Sequence, residues 1–188
     1  MFQQTVYLAL GGNLNNPKAQ VEEAIAQLSR LPDSQILSQS SLYRTLAMAA
    51  PDIDFVGTEP ALTTGSDLLA ARQNQEPDYC NAVIALNTSL PLRTLWRYIQ
   101  GIEAAMGRAR TKRWAARVID IDILLYGTGR FVLPELHVPH VGLLTRAFVM
   151  IPLAEIAPTL VLPNQATAAA WAQKFTHESI EVWEAVAT

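Results

Sequence analysis

Residues 118–126 read Val-Ile-Asp-Ile-Asp-Ile-Leu-Leu-Tyr, an alternation that turns into an apolar run and stops at Gly127. Period two is the mark of a β-strand, and residues two apart leave a strand on the same face. Asp120 and Asp122 therefore emerge side by side, with Ile121 in the opposite layer. Two neighbouring carboxylates repel unless a proton or cation lies between them. Mg²⁺, held by one or two carboxylates and completed by water and phosphate oxygens, meets that requirement. A D-x-D pair alone is common, and a solvated strand end is its plain reading. Five cations just upstream, Arg108, Arg110, Lys112, Arg113 and Arg117, change the balance. Guanidinium forks match phosphate oxygens two at a time. Paired carboxylates beside such a cluster suit a magnesium-loaded polyphosphate.

Outward from this strand, the chain alternates strand and helix signals. Thr5–Gly12 reads as a buried strand ending in a Gly11-Gly12-Asn13 turn. Pro17 opens a helix with Val21, Ala24, Ile25 and Leu28 at helical spacing, stopping near Leu31-Pro32-Asp33. Ile36–Thr45 reads as a second strand. The segment at about 46–77 is rich in Ala, Gly, Thr, Pro and Asp and keeps no period, so it is expected as a long functional loop. Asp78–Asn87 reads as a strand. Pro91 starts a helix carrying Leu92, Leu95, Trp96, Ile99 and Ile102, which ends near Gly107. Arg108–Arg117 is a basic loop. Phe131–Val138 suggests a short strand pair and Leu143–Ile156 a helix despite Pro152. The tail at 166–186 reads as partly helical, with Trp171 and Trp183 packing. The order is βαββαβ with a C-terminal extension, an α+β ferredoxin-like core with helices on one face of an antiparallel sheet.

The 188 residues are expected to form a single domain, 1–188, large enough to bury a core without staples. At 50% hydrophobic and 16% charged, the chain has a globular composition rather than a disordered one. A net charge of −3 speaks against a general nucleic-acid binder, whose surface is strongly basic. The single cysteine, Cys80, excludes an intrachain disulfide and is expected to be buried and inert. No leader-like N-terminus or bilayer-length apolar run is visible, so a cytoplasmic protein is expected.

His140 follows Pro139 in a loop and could donate to a phosphate, although a lone loop histidine is more often structural. Arg146 lies close enough in sequence to serve the same charge. Trp114 sits inside the cation cluster, where core packing and exposed stacking are about equally plausible. Gly11-Gly12-Asn13 is neither a Walker loop nor a dinucleotide fingerprint, and reads as a turn near the site.

Several motifs in order resemble the 6-hydroxymethyl-7,8-dihydropterin pyrophosphokinase family. They are Leu-Gly-Gly-Asn-Leu (10–14), Ser-Leu-Tyr-Arg-Thr (41–45), Pro-Asp-Tyr-Cys-Asn-Ala-Val (77–83), Ile102-Glu103 with Gly107-Arg108, and Arg113-Trp114 leading to Arg117. Ile119–Leu124, Val138-Pro139-His140 and Arg146-Ala147-Phe148 complete the set. The Arg-Trp…Arg…Asp-x-Asp segment is the most specific of these. The resemblance spans nearly the whole chain and implies the ferredoxin-like fold. It also implies transfer of pyrophosphate from ATP to the hydroxymethyl-dihydropterin in folate biosynthesis, with AMP released. It assigns Asp120 and Asp122 to two Mg²⁺ ions and Arg108 and Arg117 to the transferring group. Gln100, Arg110, Arg113, His140 and Arg146 fall to ATP. Thr45, Tyr79, Asn81, Glu103, Trp114 and Phe148 fall to the pterin. ATP and the pterin are the implied partners, without nucleic acid or membrane, and a monomer is expected.

The chain departs from the family pattern at Ala115-Ala116, where Gly-Pro is usual, and at Leu46-Ala47-Met48-Ala49, where a proline and then a glycine usually follow. Its 46–77 loop is longer than typical by roughly twenty residues. Glu135 replaces a basic residue and Val141 a tyrosine seen in many or some members. These changes motivate a competing expectation, a catalytically weakened relative that binds pterin or nucleotide. A ferredoxin-like RNA-binding module is a third reading, but the central strands offer no row of stacking aromatics.

Overall fold

The strand expected at Thr5–Gly12 runs from Gln4 to Gly12 (β1) in the computed structural model, which describes residues 3–46, 77–107, 118–176 and 180–185. Val6, Leu8 and Leu10 face one side of the sheet and pack under the two main helices, while Tyr7 and Ala9 face the other. Helix α1 (Pro17–Leu28) begins with proline at its first turn, after Asn15 and Asn16 adopt positive φ. Asparagine tolerates that backbone region better than most residues, which lets the chain reverse without a glycine. Its buried stripe is Val21, Ala24, Ile25 and Leu28, as the spacing requires.

Two short strands follow, β2 (Ser34–Gln39) and β3 (Leu42–Thr45), then β4 (Tyr79–Thr88), α2 (Leu92–Ala105) and β5 (Asp120–Tyr126). A hairpin of β6 (Phe131–Leu133) and β7 (Leu136–Val138) leads to α3 (Ala147–Ile156) and α4 (Ala168–Ala172). A 3-10 turn at Gln173–Phe175 precedes the last strand, β8 (Ile180–Glu184).

The main sheet has the order β5-β1-β4-β3-β8, with β2 also on β4, and its neighbouring strands are antiparallel. If β2 and β3 count as one interrupted strand, the first four strands of the βαββαβ core take the arrangement 4-1-3-2. This is the ferredoxin-like α+β fold expected from element order. β4 is central and covered on both faces, which is why it reads as an almost unbroken apolar run.

Several details differ from the sequence reading. The single strand expected at Ile36–Thr45 is broken at Ser40–Ser41. There the Ser40 hydroxyl takes the amide of Val83 at 2.9 Å, standing in for a backbone acceptor. Helices do not occupy one face only, because α3 covers the second. Val83, Leu124, Leu125, Leu143, Met150 and Leu153 form a separate core there. α3 starts at Ala147 rather than Leu143, since residues 141–145 turn. The tail is helical only at its start and ends as a strand. In it Trp171 is half-buried, its indole donating to the Leu144 carbonyl at 3.0 Å, whereas Trp183 is 41% exposed. Gly11 and Gly12 lie within β1 rather than in a turn. The long loop expected at 46–77 falls almost wholly outside the described residues. No helix among the described residues is long and apolar enough to cross a membrane.

Candidate active site

β5 is the outermost strand on its side of the sheet, and Asp120 and Asp122 are carried at its start. Ile121 between them is buried in the α1–α2 core, so both carboxylates project to the other face, half-buried. An edge strand leaves backbone groups without a ladder partner. Here Glu103 of α2 meets one: its Oε1 accepts the Ile121 amide at 2.8 Å. Glu103 is itself only 4% exposed, and a carboxylate that deep requires hydrogen-bond donors. It reaches β5 because it follows Ile99 by one helical turn on the buried stripe of α2. The bond fixes the peptide midway between the two aspartates.

A cavity of about 820 Å³ opens along this edge, between α2 and the β6–β7 hairpin. Trp96, Gln100 and Glu103 line it from α2, Asp120 and Asp122 from β5, and Glu135, His137, His140 and Val141 from the hairpin side. His140 is tightly oriented. Its amide donates to the Leu124 carbonyl at 2.9 Å, and its Nδ1 accepts the Gly142 amide at 3.1 Å. Nδ1 is thus the acceptor, which leaves the proton of the neutral ring on Nε2. Nε2 points toward Asp122, 3.6 Å from Oδ2. Gly142 also adjoins Arg146: a β-carbon there would come 2.7 Å from the Arg146 Nε. The Arg146 guanidinium in turn lies 5.7 Å from the centre of the Phe148 ring. His140, Arg146 and Phe148 are thereby arranged as one chain of contacts around a glycine.

A second group lies on the same face of the sheet. Tyr43, Asn81, Gly11 and Asp120 stand in register across four strands. Cross-strand partners share a face, and strands are spaced about 4.8 Å apart, so Asn81 and Asp120 are separated by roughly 10 Å. Gly11, between them, contributes no side chain, and the Asn81 amide oxygen takes the space above it. Asn81 is 4% exposed, and its Nδ2 donates to the Thr45 hydroxyl at 2.9 Å. Thr45 pairs in register with Tyr79, placing the threonine and the tyrosine next to each other at the strand ends. Thr45, Tyr79, Asn81, Arg146 and Phe148 do not line the 820 Å³ cavity: the first three meet beside Gly11, and the last two lie at the start of α3. Arg108, Arg110, Arg113, Trp114 and Arg117 lie outside the described residues, as do Ala115 and Ala116.

Two supports escaped the sequence reading. Glu155, in α3, accepts from the Ser41 amide at 3.0 Å, the Ser41 hydroxyl at 2.7 Å and the Tyr43 hydroxyl at 2.9 Å. It pins the strand break directly upstream of Thr45. Burial, reinforced by the hydrogen bond to Glu155, pushes the Tyr43 phenol above its ordinary range. Gly142 is the other, for the reasons given above. The Glu155 bonds are long-range, though a lone acid in the apolar Ala147–Ile156 run was a visible clue, whereas Gly142 acts locally, on His140 and Arg146. Cys80 is fully buried on the opposite face, and burial, with Glu22 adding, raises its thiol to about 12. It plays no part in the site.

Residues 7–158 match the family model of 7,8-dihydro-6-hydroxymethylpterin-pyrophosphokinase. The chain is 37% identical over 161 residues to a 2-amino-4-hydroxy-6-hydroxymethyldihydropteridine pyrophosphokinase of Pseudomonas aeruginosa, covering 86% of this chain and 85% of that protein. It is 36% identical over 160 residues to the protein of the same name from Haemophilus influenzae, covering 85% and 86%. Among solved structures, the Plasmodium falciparum HPPK-DHPS with pteroate superposes with a TM-score of 0.63 at 15% identity. That match covers 94% of this chain but only 43% of the other, so the chain spans less than half of the HPPK-DHPS protein. At such identity the likeness bears on the fold alone.

Proposed function

Because this chain belongs to the 7,8-dihydro-6-hydroxymethylpterin-pyrophosphokinase family and is an ATP-dependent pyrophosphokinase of folate biosynthesis, we propose that Asp120 and Asp122 form its polyphosphate-holding centre and Asn81 its pterin reader. The observation that supports this reading is the register row Asp120–Gly11–Asn81, in which a carboxylate and a side-chain amide share one face of the sheet with only a glycine between them.

The donor set fits magnesium. Asp120 and Asp122 offer hard oxygen ligands from one face of a strand, half-buried at the mouth of the cavity. No cluster of three or more metal-binding side chains occurs among the described residues, and Mg²⁺ at phosphate sites commonly takes only one or two carboxylates. When bound, the metal neutralises phosphate charge and aligns the β-phosphorus for attack.

The chain's own residues supply positioning. Glu103 fixes the backbone between the aspartates through the Ile121 amide. His140 holds a proton on Nε2 toward the same space and can donate it as a hydrogen bond to a phosphate oxygen. Asn81 offers an amide to the polar edge of the pterin, oriented by Thr45. Tyr79 and Phe148 are the aromatic walls of this reading, and Gln100 and Arg146 complete the contacts. By the family resemblance, Arg108 and Arg117 would stabilise the transferring group, Arg110 and Arg113 would hold ATP phosphates, and Trp114 would contact the pterin. The substrate hydroxyl attacks the β-phosphorus, its proton passes to solvent or a phosphate oxygen, and AMP leaves. Such transfers rest on alignment and charge stabilisation more than on a strong base. Consumption of ATP fits a cytoplasmic enzyme, and we propose that it acts as a monomer on two small-molecule substrates.

The decisive assay measures AMP from purified protein with Mg²⁺, ATP and 6-hydroxymethyl-7,8-dihydropterin. AMP release is expected only with all three. Folded protein that makes none with all three present would overturn the reading.

A further inference from the structure

The matched family segment ends at residue 158, yet the sheet is completed by a strand beyond it. β8 pairs antiparallel with β3, setting Thr45 opposite Ile180, Arg44 opposite Glu181 and Tyr43 opposite Val182. β3 has only four residues, and its last is the threonine whose hydroxyl receives the Asn81 amide. Without β8, β3 would be a short sheet edge, the kind of element that opens locally at low cost.

β8 buries little. Ile180 is half-buried, and Glu181 to Glu184 are exposed. Its hold on β3 therefore rests on the ladder and on specific side-chain docking. The Arg44 guanidinium, 49% exposed and ion-paired with Asp78, lies 5.7 Å over the Trp183 ring. Glu184 is ion-paired with Lys18 at the start of α1. Trp183 occupies a register shift between the pairs at Leu42 and Tyr43, and its ring lies on the same face of the sheet as Arg44.

Resting on the pterin-site reading above, we infer that Trp183 and Glu184 are positioning residues for the pterin: by docking β8 they hold β3 so that Thr45 stays within reach of Asn81. The sheet order gives the inference a directional signature. β8 is one outer strand and β5, with the aspartates, is the other, with three strands between them. Loosening β8 should disturb the pterin side and spare the polyphosphate side.

The test uses the full chain with Trp183→Ala/Glu184→Ala, Trp183→Phe and the milder Glu184→Gln, with thermal unfolding as the fold control. KM is measured separately for pterin and ATP, and pterin affinity is read by calorimetry with a non-transferable ATP analogue and Mg²⁺. The double variant should raise the pterin KM and Kd by roughly three- to tenfold, the size of an exposed cation–π and ion-pair contact. Its ATP KM should stay within about twofold, and Trp183→Phe, which keeps a ring under Arg44, should restore pterin binding. If the double variant does not fold, Glu184→Gln carries the same comparison with a smaller shift. Unchanged pterin binding, or equal losses for both substrates, would overturn the inference. A parent protein inactive with both substrates would instead sink the underlying assignment.

Discussion

The side-chain oxygen of Asn81 lies over Gly11, so close that a β-carbon on the glycine would stand 2.9 Å from it. The two residues face each other across β1 and β4, and the missing side chain gives the asparagine its place. Gly11→Ala should therefore displace a side-chain tip rather than the backbone. Asn81 would swing away and lose its bond to Thr45. Pterin affinity is expected to fall about tenfold, the cost of one misplaced polar contact, with ATP affinity and melting temperature nearly unchanged. Separate titrations of the two substrates check this, and equal losses for both would contradict it.

Asp120→Asn and Asp122→Asn keep the size of each side chain and remove its charge. Each should reduce AMP formation by at least about a hundredfold, since a group acting on developing phosphate charge is lost. The melting temperature, read alongside as a fold control, separates loss of the carboxylate's chemistry from loss of the fold. Activity within a few-fold of the parent would remove these residues from the centre.

Glu103 is expected to act on the fold and the site together. Glu103→Ala strands the Ile121 amide, at a cost of roughly 1–3 kcal/mol, or about 2–10 °C of melting temperature for a chain of this size. Glu103→Gln keeps an acceptor carbonyl for that amide and should recover most of the loss. Calorimetric melting of the two variants separates these outcomes, and identical values would show that the bond is not what matters.

Cys80 makes stability depend on alkaline pH. Its thiol is raised from an ordinary 9.0 to about 12 by burial, so the folded state keeps the proton longer than the unfolded chain. The contribution is fully present below pH 9 and is lost as pH rises toward 12. Cys80→Ala should flatten the decline in denaturant midpoint across the accessible part of that window. The native thiol should resist maleimide at pH 8 and react once the protein is unfolded. Rapid labelling of folded protein would show that the thiol is not sealed.

Much of the centre was legible because strand parity is strict. Asp120 and Asp122 had to share a face once 118–126 was a strand, and Ile121 had to enter the core. The helical stripes of α1 and α2 followed from spacing for the same reason. The break at Ser40–Ser41 was hidden because a serine hydroxyl replaces a backbone acceptor, and nothing local announces it. β8 was missed because its side chains are mostly exposed and do not alternate, so it forms through its partner rather than its own pattern. The start of α3 was misplaced because Gly142 and His140 hold a turn where the composition favours helix. The bond from Ile121 to Glu103 spans eighteen residues and two elements. Only the acid on an apolar stripe hinted at it.

The sheet order has a consequence for how the polypeptide is made. Among the described residues β1 pairs only with β4 and β5, and β2 and β3 also wait for β4. At translation rates of about 5–20 residues per second, Gly12 leaves the ribosome roughly 4–15 seconds ahead of Thr88, the last residue of β4. The nascent N-terminal segment thus carries Val6, Leu8 and Leu10 with no strand to receive them, a period in which chaperone capture or aggregation competes with folding.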